Sequence, residues 1–484
     1  MITPGVTVLP TGATAVADGS FAHVWDNVSV DDNFGVSAPI FLDQLTPGGS
    51  AVSTTDVPAG TPGSAGHGHD VLSGSFSSKS EGALALSARG RAVTFMGYAV
   101  PANVLDASNG NTPGVIDPTN PDAQQVFRGV GELDRGGKFW FTETNAYSGD
   151  NGRAAILDDT TTGHYFAAGN SNNGDGTSPP GLISGTGAQL VTPAREAEAD
   201  QAPGQPVPAG GFSVTQLGDK ADKLGKDTNF DGVTIHDGVV YYSKGSGSNG
   251  VDTVYFIDTT GTACPGGMGT PVPGAPMPGP DASDPATGEP AHNMCILAGF
   301  PSALARSVKT PEEGGPENAT AFAGLWFASD TTLYVADAGN GTDTFDGTNY
   351  SAAAAQTLAG IQKWSLRNGT WSYDYTLQAG LGLGVPYQVA GLPAGTNPLT
   401  GLPWAPGTDG IRNLTGRTNP DGSVTLYGVT TTIGGLTDPG ADPDKLVTIT
   451  DDPAATTPGS ATFTTLRTAA AGDVYRGVSL TPGS

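Results

Sequence analysis

The stretch that decides the fold is a group of four β-rich runs: EGALALSARG (81–90), RAVTFMGYAV (91–100), FRGVGELDRGG (127–137) and KFWFTETNAY (138–147). Each run alternates apolar and polar residues or is rich in β-branched and aromatic residues, and turn-forming residues bound it. Four short strands in succession are typical of one blade of a β-propeller. The sequence therefore predicts an all-β fold in which this group forms one blade.

Four further groups repeat the pattern along the chain. We predict blades at about 81–150, 151–225, 229–301, 322–378 and 409–470. The run YRGVSLTP, which starts at Tyr475, stands alone, and a lone strand cannot pair its backbone groups or bury both faces.

Three strand-like runs near the N-terminus offer this lone run its partners. We therefore expect 475–484 to share a closing blade with 20–60, which makes a six-bladed β-propeller in one domain, 1–484. This arrangement removes the exposed end of the array. Seven blades, or a pair of β-sandwiches, are the alternatives.

Composition and charge agree with a turn-rich β protein and limit its partners. The chain has 73 Gly and 38 Pro, and only 14% of its residues are charged. Its 21 Lys and Arg against 47 Asp and Glu give a net charge of −26, which repels nucleic acids and anionic lipid surfaces. No apolar run approaches the ~18 residues of a transmembrane helix. We therefore expect no nucleic-acid partner and no transmembrane segment.

The two cysteines, Cys264 and Cys295, bracket a segment rich in Pro and Gly between two strand-like runs. We expect a disulfide that closes this loop, and with it an oxidising compartment; two buried thiols are the alternative. The protein is then predicted to be secreted, extracellular or on the cell surface. The start, MITPGVTVLPTG, does not have the pattern of a signal peptide, so secretion requires that one was removed or replaced.

Several motifs resemble a widespread group of uncharacterised secreted bacterial propeller proteins. They are SEGALALSARGRAVTFMGY (80–98), DNGRAA (150–155), GIQKWSL (360–366), LVTITDD (446–452) and the terminal YRGVSL (475–480). The resemblance implies a propeller and secretion. Its motifs are structural and imply no catalytic residues.

Inner strands line the central channel of a propeller, so the residues that begin the blades should meet at one face. The blade starts supply Glu81, Asn151, Arg153, Asp231, Arg412, Asn413 and Arg476. Arginine presents a planar fork suited to carboxylate, phosphate or sulfate, and the carboxylates could orient it or accept hydroxyl groups. The alternative is that these charges pair across the channel and hold the blades in register.

Two segments have incomplete metal-site patterns. DTNFDG places Asp227, Asn229 and Asp231 as in the start of a calcium loop, but the closing Glu is absent, so Ca²⁺ is a possible cofactor and a simple turn is the alternative. His67 and His69 have the H-x-H spacing that could hold a transition metal, although such histidines are more often exposed.

The leading functional hypothesis is an extracellular recognition or structural propeller. It would bind a polysaccharide or other carbohydrate, an anionic polymer or other anionic ligand, or a protein at the channel face. The alternative is a secreted hydrolase or lyase in which Glu81 or Asp231 acts as acid or base and the three arginines stabilise negative charge. The sequence contains no G-x-S-x-G, P-loop or H-E-x-x-H motif.

Overall fold

The computed structural model describes residues 14, 36–58, 71–76, 78–104, 107–108, 110–113, 125–170, 187–193, 207–208, 229–246, 250–264, 266–279, 294–303, 305, 320–398, 400–436 and 439–483. Strands dominate this part of the chain. Its helical elements are one short helix, α1 (Ser351–Ala354), and a 3-10 turn at Pro439–Ala441.

Five mainly antiparallel sheets follow one another along the chain and form the blades of a β-propeller. Blade 1 comprises β5 (Ala85–Leu86), β6 (Ala92–Tyr98), β7 (Arg128–Asp134) and β8 (Phe139–Thr144). Blade 2 comprises β9 (Gly152–Leu157), β10 (Tyr165–Gly169), β11 (Ala188–Val191) and β12 (Val207–Pro208). Blade 3 comprises β13 (Gly232–His236), β14 (Val239–Lys244), β15 (Thr253–Ile257), β16 (Met268–Gly269) and β17 (Met294–Leu297).

The last two blades have the longest strands. Blade 4 comprises β18 (Phe322–Ser329), β19 (Thr332–Asp337), β20 (Gly360–Arg367) and β21 (Thr370–Leu377). Blade 5 comprises β22 (Gly407–Thr418), β23 (Val424–Ile433), β24 (Lys445–Asp451) and β25 (Thr464–Thr468). Strands pair with their neighbours in sequence, except in blade 3, where β17 pairs with β15 and the short β16 adds parallel to β17.

The propeller prediction is confirmed, but the predicted six blades, and the alternative of seven, are wrong because the structure has five. Near the N-terminus, β1 (Ser37–Ala38) pairs with β4 (Gly74–Ser75), and β2 (Phe41–Leu45) pairs with β3 (Ala51–Asp56) as a hairpin. Every side chain of β3 is exposed and only Leu42 of β2 packs against a described core cluster, so this two-stranded hairpin is not a blade. The first of the three expected N-terminal runs, 21–30, lies outside the described residues.

The segment 475–483 lies between blade 5 and blade 1 but forms no strand. Side chains and loops meet its backbone groups: the Tyr475 amide donates to Asp444 Oδ1 at 2.7 Å, and the Val478 amide donates to Asn413 Oδ1 at 2.7 Å. Within the described residues this segment pairs with no strand, so its β-like pattern belongs to an irregular segment that packs between two blades.

Apolar side chains join neighbouring blades. One buried cluster unites Phe166 of blade 2, Tyr242 of blade 3 and Trp364 of blade 4. The ring of Phe300, which follows blade 3, stacks on Trp364 with 4.0 Å between centroids. Burial of aromatic surface of this kind is the main force that holds the blades side by side.

The predicted disulfide is confirmed between Cys264 and Cys295, whose Cα atoms lie 5.8 Å apart. Cys295 is fully buried in β17, so the bond ties the segment after β15 to the outer part of blade 3. Neither helical element of the described residues is long and apolar enough to cross a membrane. The disulfide is compatible with a secreted protein.

Candidate functional site

A pocket of about 240 Å³ lies where the five blades and the segment 475–483 converge. Every blade contributes to its lining. The polar lining residues are Lys79, Ser80, Glu81, Arg153, Asp231, Ser246, Asn340, Asp409, Arg412, Asn413, Thr431, Thr432 and Arg476.

Six of the seven predicted blade-start residues line this one pocket. Asn151 does not line it, but its Oδ1 accepts a 3.2 Å hydrogen bond from Arg153 Nε and so holds that arginine in place. The common cause is position, since most of these residues lie on or before the first strand of a blade, while Arg476 lies in the segment between blades 5 and 1. Arg153 is on β9, Asp231 directly precedes β13, and Arg412 is on β22.

Arg153 and Asp231 form a largely buried ion pair that links blade 2 to blade 3. The bond joins Arg153 Nη1 to Asp231 Oδ1. Asp231 Oδ2 accepts a 3.1 Å hydrogen bond from the Gly245 amide and lies 3.4 Å from the Ser246 hydroxyl. Among the described residues, Arg153 Nη2 donates no hydrogen bond, so it can serve a ligand.

Glu81 is 4% exposed and lines the pocket. Its Oε1 accepts a hydrogen bond from the hydroxyl of Tyr98. Burial raises the pKa of Glu81, while this hydrogen bond and the charge of Arg476 oppose the rise. Ser78 and Ser75 also lie near enough to lower the pKa, but no described residue makes a well-formed hydrogen bond to the buried Oε2.

Arg412 joins blade 5 to the segment that precedes blade 1. Its Nη1 donates to the Lys79 carbonyl at 2.8 Å, and its Nε donates to the Thr430 carbonyl at 3.2 Å. Its Nη2 lies 3.9 Å from Asp444 Oδ2, and burial raises the pKa of Asp444 to about 6.

Arg476 binds backbone carbonyls on both sides of the seam between blades 5 and 1. Its Nη2 donates to Gly440 at 2.9 Å and to Phe76. The interblade charge pairing that the sequence raised as an alternative is therefore present in part, in the Arg153–Asp231 pair. Arg412 and Arg476 also donate hydrogen bonds to backbone carbonyls, and both lie near enough to Asp444 to oppose the rise of its pKa.

Asp409 is a site residue that the sequence analysis missed. Its Oδ2 accepts a 2.8 Å hydrogen bond from the Gly341 amide, and its Oδ1 accepts one of 2.7 Å from Gln356 Nε2. Burial raises its pKa to about 6. A signal was present, because Asp409-Gly410, within β22, repeats the dipeptide Asp231-Gly232 at the start of β13.

Asn340 was also missed, since it comes from the loop after β19, away from any blade start. Its Oδ1 accepts a 2.9 Å hydrogen bond from the Thr342 amide, which fixes the orientation of the amide group. Its Nδ2 is buried in the pocket lining and has no hydrogen-bond partner among the described residues.

The metal predictions stay predictions. Asp227, His67 and His69 lie outside the described residues. Asp231 directs its oxygens to Arg153 and the Gly245 amide, an arrangement that competes with calcium binding. Asn229 Oδ1 is buried without a hydrogen-bond partner in the described part. Within that part, no three His, Cys, Asp or Glu residues stand close enough to hold a metal ion.

Comparisons with known proteins leave the family open. No protein-family model matches the chain, and no curated protein matches it. Among solved structures, one described as "Crystal structure of a thermostable family-43 glycoside hydrolase" is 11% identical over 84% of this chain and 96% of that chain, with a TM-score of 0.29. A similarity this low supports no argument about function. The predicted membership in a family of secreted bacterial propellers is therefore not confirmed.

Proposed function

We propose that the protein is an extracellular recognition propeller whose pocket binds an anionic ligand that carries hydroxyl groups. The observation that carries the proposal is the local charge. Four basic residues (Lys79, Arg153, Arg412 and Arg476) and three acidic ones (Glu81, Asp231 and Asp409) line the pocket. The whole chain has 21 basic and 47 acidic residues, so the pocket reverses the overall ratio.

Acidification increases this contrast. Burial raises the pKa of Glu81 and raises that of Asp409 to about 6, so the negative charge of the lining decreases as the pH falls. Asp231 is already paired with Arg153. An anion that enters the pocket therefore meets an excess of positive charge, while the net charge of −26 repels anions from the rest of the surface.

The proposal is tested by isothermal titration calorimetry with glucuronate, and with glucose as the uncharged counterpart. We expect glucuronate to bind and glucose to bind at least about tenfold more weakly, since a hydrogen bond to a charged group contributes about 1.5–3 kcal/mol. Glucose 6-phosphate and glucose 6-sulfate extend the test to the other anionic groups that arginine recognises.

The joint variant Arg153→Ala with Arg476→Ala should bind the best probe at least about tenfold more weakly while keeping its circular dichroism spectrum. Arg367→Ala is the matched control, because Arg367 is a half-exposed arginine on β20 that pairs with Asp374 outside the pocket. Unchanged affinity in the folded double variant would remove the proposal.

The second candidate function is a hydrolase or lyase. The observation in its favour is that Glu81, a buried carboxyl with a raised pKa, shares the pocket with Asp231 and three arginines. In this mechanism Glu81 would donate a proton to a leaving group, and the arginines would stabilise the developing negative charge.

Turnover separates the two candidates. A panel of esters, lactones, phosphoesters and polysaccharides is incubated with the wild type and with Glu81→Gln or Asp231→Asn. Turnover that these substitutions abolish supports the enzyme, whereas binding without turnover supports recognition.

A further inference from the structure

We infer that the pocket accepts one acidic sugar-sized unit, either a free monomer or the end of a chain, and that it excludes the interior of a polymer. This inference rests on the proposed function and specifies its ligand. The size of the pocket is the first argument. Its volume of about 240 Å³ is below the ~300–1,000 Å³ of pockets that hold drug-sized ligands.

The seams between blades are closed beside the pocket, so a polymer cannot pass out sideways. A β-carbon at Gly232 would lie 2.4 Å from the Ala323 carbonyl oxygen, which shows that blades 3 and 4 meet backbone to backbone. At the seam of blades 4 and 5, a β-carbon at Gly410 would lie 2.3 Å from the Asp337 carbonyl oxygen.

The seam between blades 5 and 1 is closed by the segment 475–483. A β-carbon at Gly477 would lie 2.3 Å from the Leu84 amide nitrogen, and the hydrogen bond from Arg412 to the Lys79 carbonyl crosses the same seam.

Between blades 1 and 2 the Ala83 amide donates to the Arg153 carbonyl at 3.2 Å, and between blades 2 and 3 Arg153 pairs with Asp231. Among the described residues, a ligand bound inside these five seams therefore enters and leaves along the axis. A chain can therefore insert its end but cannot lie across the pocket with both neighbours bound.

The unsatisfied polar atoms of the lining match an acidic sugar. Glu81 Oε2 is a buried acceptor suited to a hydroxyl group, and Asn340 Nδ2 is a buried donor. The remaining Nη2 donor of Arg153 suits the anionic group. A buried polar atom without a partner is costly, so a ligand that satisfies Glu81 and Asn340 together gains specificity as well as affinity.

The test measures galacturonate and its oligomers of two, three, four and eight units by calorimetry, with glucuronate alongside. We expect one protein molecule to bind each oligomer at every length. The affinity per oligomer should differ from that of the monomer by less than about threefold. Asn340→Ala should weaken binding of the monomer about fivefold, as loss of one neutral hydrogen bond predicts. It should leave binding of acetate, which has no hydroxyl group, unchanged.

Several proteins bound per chain, or an affinity that rises in proportion to length, would overturn the inference while the proposed function stands. The same conclusion follows if the oligomers bind and neither monomer does. Absence of binding by every anionic probe, including glucose 6-phosphate and glucose 6-sulfate, or equal binding of glucose, overturns the proposed function and this inference with it.

Discussion

Substitution of Gly477 by alanine tests whether the segment 475–483 closes the ring. The new β-carbon would lie 2.3 Å from the Leu84 amide nitrogen and 2.7 Å from the Gly82 carbonyl oxygen. Both are backbone atoms of the segment that leads into blade 1, so neither can move as the end of a flexible side chain would. The backbone at Gly477 is not in the left-handed region, so lack of space is the only cost of the substitution.

The magnitude follows from the contacts. Forcing an extra methyl group into a packed site costs about 1–3 kcal/mol. If the segment moves to relieve the clash, the amides of Tyr475 and Val478 lose hydrogen bonds worth about 0.5–1.5 kcal/mol each. We therefore expect Gly477→Ala to lower the free energy of unfolding by about 3 kcal/mol, which corresponds to a loss of roughly 3–6 °C in Tm.

The assay is thermal unfolding followed by circular dichroism, together with calorimetry of the best anionic ligand. Affinity should fall along with stability, because Arg476 adjoins Gly477. Gly279→Ala is the matched control, since no atom of the described residues lies within 4 Å of the new methyl group and φ there is outside the left-handed region. If the Tm values of the two variants differ by less than about 1 °C, the segment does not close the ring and the reasoning is wrong.

Three further predictions concern other parts of the molecule. Replacing Cys264 and Cys295 together by alanine should lower the free energy of unfolding by about 3–4 kcal/mol, as the sequence separation of 31 predicts for loss of the disulfide. A reductant should lower the Tm of the wild type but not that of the variant. Burial raises the pKa of Asp337 to about 7, above its unfolded value, so the stability that its neutral form provides is full below about pH 4 and is lost as the pH rises to 7. The stability of Asp337→Asn relative to the wild type, measured by urea unfolding, should therefore increase from pH 4 to pH 8, and a constant difference would contradict this assignment. Tyr98→Phe removes a hydrogen bond that lowers the pKa of Glu81, so that pKa should rise further in a carbon-detected NMR titration, and an unchanged or lower value would argue against it.

Much of the fold was predictable because propeller strands are local patterns. VVYYSK (239–244) is β-rich and ends in turn residues, and it forms the fully buried β14. Antiparallel neighbours need only a short turn between them, so the order of the runs also gives the order of the strands within a blade.

The number of blades was not predictable, because strand pairing depends on partners distant in sequence. YRGVSL (475–480) has the composition of a strand, yet the Asp444 and Asn413 side chains bind its backbone where a neighbouring strand was expected. AVSTTD (51–56) does form a strand, but it pairs only within its own hairpin. The local pattern of residues does not show which partner, if any, a β-rich segment pairs with.

The sequence likewise predicts some residues of the candidate site and misses others. Arg153 and Arg412 were predicted because the first strand of each blade lines the axis, and this rule needs only the approximate blade starts. Asn340 and Lys79 come from segments whose position depends on how loops fold over the ring, which strand patterns do not encode. The ligand-binding role of all these residues stays a proposal.

The hydrogen bonds that close the ring join residues very far apart in sequence. Arg412 and Lys79 are separated by 333 positions, and Arg476 and Phe76 by 400. Contacts of such high sequence separation form late in folding and make it slow, because the loop entropy must be lost before they contribute. A ligand that bridges these residues binds only the completed ring, so at 100 times its Kd it would add about 2.7 kcal/mol to global stability. Ligand occupancy would then also report how many molecules have finished folding.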